Sequence, residues 1–115
     1  MVDKKGSLWP AIRDTPVPQG AVHIWWLLQA GFVIKSPGGF TVCIDAYLTD
    51  SVKTSYGISR GYPAPLSPEE SEFDAVMATH SHDDHQDPEA IIPFSKHPKT
   101  RYIGPFNVIK LARAG

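Results

Sequence analysis

Residues 79–87, which read T-H-S-H-D-D-H-Q-D, constrain this chain more than any other stretch. Within six positions His80, His82, Asp84 and His85 bring together three imidazoles and a carboxylate. The preceding run, residues 73–79 (FDAVMAT), has the apolar character of a buried strand. Behind the cluster, Asp87-Pro88 reads as a helix start. Asp87 is the N-cap, Pro88 takes the first helical position, and residues 89–95 form a body shortened or kinked at Pro93. A strand that hands over to a helix through such a loop calls for an α/β arrangement in which helices cover a sheet.

The remainder of the chain supplies that sheet. Residues 21–28 (AVHIWWLL) and 31–36 (GFVIKS) are strands rich in β-branched and aromatic side chains, with Gln29-Ala30-Gly31 as a bend or bulge between them. Pro37-Gly38-Gly39 marks a tight turn. Residues 40–46 (FTVCIDA) return as a third strand, giving a meander of consecutive antiparallel strands. Its near-continuous apolar character predicts burial on both faces.

Residues 47–66 show no sustained period and read as a long loop. Ser67-Pro68-Glu69-Glu70 carries a capping-box pattern that predicts a short helix. Residues 101–103 form a short strand, and 105–114 a helix with apolar Phe106, Ile109, Leu111 and Ala112, capped by Gly115. Pro10, Pro16 and Pro18 hold much of the N-terminus extended, with room for one helical turn at 7–13. The predicted organisation is an N-terminal arm over 1–20, anchored by Trp9, followed by one domain over 21–115.

Composition removes several function classes. With 115 residues the chain is one small domain, and a net charge of -1 offers no electrostatic footprint for nucleic acid or an anionic membrane surface. No apolar run approaches the roughly 20 residues that span a bilayer, and the lysines near the N-terminus lack the apolar segment of a signal peptide. The single cysteine, Cys43, forbids a disulfide within the chain and makes a cytoplasmic setting the default.

Imidazole suits zinc, iron, nickel and manganese, and carboxylate suits harder ions. In extended backbone His80 and His82 point to the same side, so they can grip one ion together. Asp84 and His85 follow as the backbone turns and can address a second position. Two ions about 3.5–4 Å apart would clamp a bridging hydroxide. The alternative is a solvated loop with a chance run of histidines. Three of the five histidines fall in one six-residue window behind a buried strand, which weighs against chance. A purely structural zinc site would favour cysteine, which the cluster lacks.

His80-Ser81-His82-Asp83-Asp84-His85 matches H-x-H-x-D-H, and from about Gly20 onward the chain resembles the metallo-β-lactamase superfamily. The flanks are most similar to the L-ascorbate-6-phosphate lactonase group. They include Trp25-Trp26-Leu27, Lys35-Ser36-Pro37-Gly38-Gly39, Val42-Cys43-Ile44-Asp45, Ala75-Val76-Met77-Ala78-Thr79 and Ile103-Gly104-Pro105. The resemblance implies the N-terminal half of an αββα sandwich, with a mostly antiparallel or mixed sheet covered by helices. It also implies one or two divalent ions, manganese or zinc. His80 and His82 would bind the first, and Asp84 and His85 would serve the second. Asp84 would also orient or deprotonate the attacking water, and Asp45, at a strand end, would brace the metal loop.

The superfamily's remaining ligands, two histidines and a bridging aspartate, come from its second half, and neither His23 nor His97 corresponds to them. Asp87 stands where glyoxalase-type and lactamase-type members often have glycine.

The implied activity is hydrolysis by a metal-bound hydroxide, opening a lactone or ester of a small, phosphorylated sugar acid. A phosphodiesterase or phospholipase of the same fold is the alternative within enzymes, and a truncated metal-binding module without turnover is the alternative outside them. The expected partners are a small anionic substrate, not nucleic acid or membrane, and either further copies of the chain or a completing C-terminal half.

Other conspicuous residues have simpler readings. Trp25 and Trp26 face opposite sides of a strand, so one packs in the core. Cys43 reads as a buried hydrophobe and His23 as a structural residue. Lys53, Tyr56 and Arg60 are candidate phosphate contacts if the substrate carries a phosphate, with solvated loop positions as the simpler reading.

Overall fold

A computed structural model describes residues 7–114. The β-branched and aromatic runs form three antiparallel strands: His23–Trp26 (β1), Phe32–Lys35 (β2) and Thr41–Ile44 (β3). The turn between β2 and β3 closes through Ser36 N–H to the Phe40 carbonyl at 3.0 Å. Gly39 adopts the positive φ of 88° that this turn needs. The meander is present, with each strand four residues long. Ala75–Met77 (β4) then pairs parallel with β3, and Arg101–Ile103 (β5) pairs parallel with β4. The result is a five-stranded mixed sheet in the order β1-β2-β3-β4-β5.

Strand register sorts the side chains into two faces. On one face Trp25, Val33, Cys43, Val76 and Tyr102 form a row across all five strands. Two short helices, Trp9–Asp14 (α1) and Ile91–Ser95 (α3), contribute Trp9, Ile12 and Phe94 to the core on this side. Phe73 is buried between them, edge-on to Trp9 at 5.3 Å and to Phe94 at 6.1 Å between ring centroids. Cys43 lies in the row fully buried, and burial pushes its thiol pKa well up, so it behaves as a small hydrophobe as its sequence position suggested.

A charge anchors α1 to this face. Lys35, buried at the end of β2, donates from Nζ to the carbonyls of Ile12 (2.8 Å), Arg13 (2.9 Å) and Thr15 (2.8 Å). These include the carbonyls that a helix C-terminus leaves without partners, and a cation there is favoured by the helix dipole. Residues 9–14 of the predicted arm therefore fold as a helix docked into the core, with Trp9 as the anchor that the sequence suggested.

Four expectations are corrected. Burial on both sheet faces is overturned: Ile24, Trp26, Phe32 and Ile103 on the opposite face are 55%, 58%, 39% and 44% exposed. The apolar pattern there is shared by the rows Trp26-Phe32-Ile44-Met77-Ile103 and Ile24-Ile34-Val42. The long loop contains a helix, Ser51–Tyr56 (α2), ended by Gly57 at φ 74°; its sequence SVKTSY has no apolar stripe from which to read one.

The capping box forms without its helix. Glu70 accepts from Ser67 N–H at 3.0 Å, but the segment closes as a turn, with Ser71 Oγ donating back to the Ser67 carbonyl at 2.6 Å. Finally, α3 begins at Ile91, with Ala90 at its cap position and no side-chain cap; Asp87 caps only the turn before it, accepting from Glu89 N–H at 3.1 Å. The last helix, Phe106–Ala114 (α4), agrees with expectation; its proposed cap, Gly115, lies outside the described residues.

Candidate metal centre

The parallel strands β3, β4 and β5 end at one edge of the sheet, where open α/β sheets present their sites. Beyond β3 lies Asp45, beyond β4 the loop 78–87, and beyond β5 Gly104. A Cβ on Gly104 would sit 2.8 Å from the Ala78 carbonyl and 2.7 Å from Val108 Cγ1, so only glycine lets α4 approach the root of the loop this closely.

Asp45 organises the start of that loop. It is buried and adopts φ 50°, a left-handed conformation that aspartate tolerates better than most residues. Its Oδ1 accepts from Thr79 N–H at 2.7 Å, and its Oδ2 accepts from the Thr79 hydroxyl at 2.8 Å and from His85 Nδ1 at 3.1 Å. Burial alone would raise its pKa. The hydrogen bonds from the Thr79 backbone, His85 and the Thr79 side chain outweigh that effect and hold it below the ordinary carboxylate range.

These contacts decide which ring nitrogens remain available. A carboxylate can only accept, so His85 donates from Nδ1. Thr79 has one hydroxyl proton and gives it to Asp45, so its 2.9 Å contact with His80 Nδ1 is one in which the imidazole donates. The nitrogen left free to accept in either ring is then Nε2. A hydrogen bond at the other nitrogen is the usual way that a ligating histidine is oriented.

The three imidazoles converge. The His80 ring lies 4.0 Å from that of His85 and 4.6 Å from that of His82, between centroids. Asp84 Oδ1 lies 3.8 Å from His85 Nε2, so the two look onto the same space. His82 is exposed, and the others are half-buried. As the side chains stand, no three donors among the described residues are gathered closely enough to hold an ion. The chemistry of the set nevertheless fits a divalent transition metal: three imidazoles, two with Nε2 turned outward, and one carboxylate.

The structure brings together His80, His82, Asp84, His85 and Asp45, all named from the sequence. It separates the remaining histidines from them. His23 stacks on Trp25 at 3.9 Å near the start of β1, at the opposite end of the strand, and His97 bonds the Glu69 carbonyl at 3.1 Å. Arg60 is used structurally: its NH1 donates to the Tyr47 carbonyl at 2.7 Å, and its guanidinium lies 4.6 Å above the Tyr47 ring.

Three supports of the loop were not read from the sequence. Thr79 carries the link between Asp45 and His80. Gln86 is buried and donates from Nε2 to the Val108 carbonyl at 2.9 Å, and Asn107 donates to Ser81 Oγ at 2.8 Å. Thr79 stands directly before the first histidine, and that adjacency was the only local signal of its role; the partners of Gln86 and Asn107 are more than twenty positions away.

A family model described as a beta-lactamase superfamily domain matches residues 23–114. Among curated proteins, the chain is similar to a metal-dependent hydrolase of Cupriavidus taiwanensis, 36% identical over 81 residues, covering 66% of this chain and 26% of that protein. It is 32% identical over 91 residues to a metal-dependent hydrolase of Polynucleobacter asymbioticus, covering 79% of this chain and 30% of that protein. To the probable L-ascorbate-6-phosphate lactonase UlaG of Shigella dysenteriae it is 32% identical over 98 residues, covering 66% of this chain and 27% of that protein. The chain thus spans about a quarter to three tenths of the length of these relatives. No helix among the described residues is long and apolar enough to cross a membrane.

Proposed function

The chain belongs to the beta-lactamase superfamily, and from that premise we propose that it carries the first metal-binding segment of a divalent-metal-dependent hydrolase. The observation that supports this most directly is the convergence of His80, His82 and His85, two of them held by Nδ1 so that Nε2 is presented. In this reading His80 and His82 hold one ion, and Asp84 with His85 serve a second position. Zinc or manganese suits a nitrogen- and oxygen-donor set without cysteine. When bound, the metal supplies Lewis-acid activation of water and of the carbonyl under attack.

The protein groups have separate tasks. Asp84, half-exposed beside His85, orients the attacking water and takes up its proton. Asp45 keeps His85 in one tautomer and one orientation through Nδ1. Thr79 does the same for His80. Likeness to a lactonase supports a lactone or ester of a small, phosphorylated sugar acid as substrate. The same residues would equally serve a phosphodiester, since both reactions need an oriented water and a charge clamp.

An assay separates these readings: metal-supplemented hydrolysis of a phosphorylated sugar lactone and of an activated phosphodiester. It is run on this chain and on a polypeptide of the relatives' length that contains it. The expected result is lactone turnover by the longer polypeptide that is lost on chelation and restored by manganese or zinc. Phosphodiester turnover without lactone turnover would overturn the substrate class. Absence of metal-dependent turnover of either would overturn the hydrolase reading.

A further inference from the structure

Asp87, two residues beyond His85, is buried at 4% exposure, and its carboxylate accepts four hydrogen bonds. Oδ2 takes the backbone N–H groups of Leu48 and Thr49, both at 2.9 Å, and Oδ1 takes the Thr49 hydroxyl at 2.7 Å and Glu89 N–H at 3.1 Å. Three of these four donors belong to a single short segment that continues β3 beyond Asp45. The same segment is held from the other side by Arg60, whose NH1 reaches the carbonyls of Tyr47 at 2.7 Å and Thr49 at 3.4 Å. Its backbone is therefore gripped by an anion at its N–H groups and by a cation at its carbonyls.

Helix capping does not account for this arrangement. Only the bond to Glu89 N–H is of capping type, and α3 starts four residues later with Ala90 at its cap position. A buried carboxylate is costly to leave without partners, and here most of its partners lie 38 or 39 positions back in the chain.

We propose that Asp87 is a positioning residue for Asp84 and His85, fixing the exit of the metal loop against the segment that follows β3. This rests on the metal-binding reading given above. The loop is then pinned at both ends to one strand extension: at its entry Asp45 holds Thr79, and at its exit Asp87 holds Leu48 and Thr49. His85 lies between the two pins, its ring tied to Asp45 and its backbone two residues from Asp87. Without the second pin, the backbone carrying Asp84 and His85 would have to be ordered at the moment of binding, and affinity would fall accordingly.

The test is a titration of this chain with cobalt(II) alone, read by affinity and by the visible absorption band, which reports coordination geometry. Asp87→Asn retains size but turns one oxygen into an N–H donor facing other donors. It is expected to weaken cobalt binding by about 10–100-fold, the range for residues that orient metal ligands, and to change the band. Thr49→Val removes one donor without touching the metal loop and should act in the same direction by several-fold. Ile12→Val, a core change in α1 away from both loops, should leave the band unchanged.

If Asp87→Asn does not fold, Thr49→Val decides. Wild-type affinity and an unaltered band in the folded variants would overturn the positioning role and leave the metal reading intact. A wild-type chain that binds no cobalt would overturn both.

Discussion

Replacing Asp45 with alanine is expected to lower divalent-metal affinity by about 10–100-fold and to destabilise the metal-free chain by about 2–4 kcal/mol. The affinity range is that of side chains that orient metal ligands. The stability figure follows from stranding the Thr79 N–H, the Thr79 hydroxyl and the His85 ring, which all bond one buried, charged acceptor. Alanine is also less tolerant than aspartate of the φ of 50° at this position, whereas Asp45→Gly relieves the backbone and still lacks the carboxylate. If the carboxylate carries the effect, glycine should recover part of the stability but none of the affinity.

The pH dependence has a definite sign. The folded-state pKa of Asp45 is depressed, so its contribution is present above the ordinary carboxylate range and is lost as pH falls through the folded value. The stability gap between wild type and Asp45→Asn, measured by denaturant unfolding without metal, should hold at neutral pH and close below about pH 4. A gap that persists unchanged into strong acid would assign the role of Asp45 to shape and not to charge.

The second large effect concerns the bare sheet face. Trp26 and Phe32 oppose each other across β1 and β2, and the row continues through Ile44 and Met77 to Ile103. Burying a large apolar side chain contributes about 1.5–3 kcal/mol, and a contiguous exposed apolar patch drives association. The isolated chain should therefore sediment as oligomers. The double substitution Ile24→Glu and Trp26→Lys, on the edge strand β1, should shift it towards monomer without changing its circular dichroism. A wild-type chain that sediments as a monodisperse monomer at high concentration would refute the prediction.

That face also marks where sequence reading reached its limit. The apolar character of residues 21–46 located the three strands, yet an apolar run does not say whether a partner layer is present. Strand β5, Arg101–Ile103, was readable because its neighbours are turn residues. The donors His80 to His85 were readable because they are contiguous, and Asp45 because it ends an apolar strand. Asp87 was read as a cap and nothing more, and its bond to Glu89 N–H is of that kind. A local pattern of aspartate before proline fits an N-terminus, but the energy of its carboxylate is decided by Leu48 and Thr49, which no local pattern reveals. Lys35 is a similar case: its position within a strand gives no hint that it closes α1 across twenty or more positions. Serine and glutamate at 67 and 70 formed their reciprocal bonds as expected, but the chain turns there, ahead of the buried Phe73, and does not continue as a helix.

The central claim is that residues 80–85 bind a divalent ion through imidazole nitrogens presented by Asp45 and Thr79. Calorimetric titration of the chain with zinc and with manganese, beside the variant His82→Ala, tests it most directly. Saturable binding of at least one of these ions by the wild-type chain is expected, and its loss in His82→Ala with the fold intact. Equal binding by both proteins, or no binding by either, would contradict it.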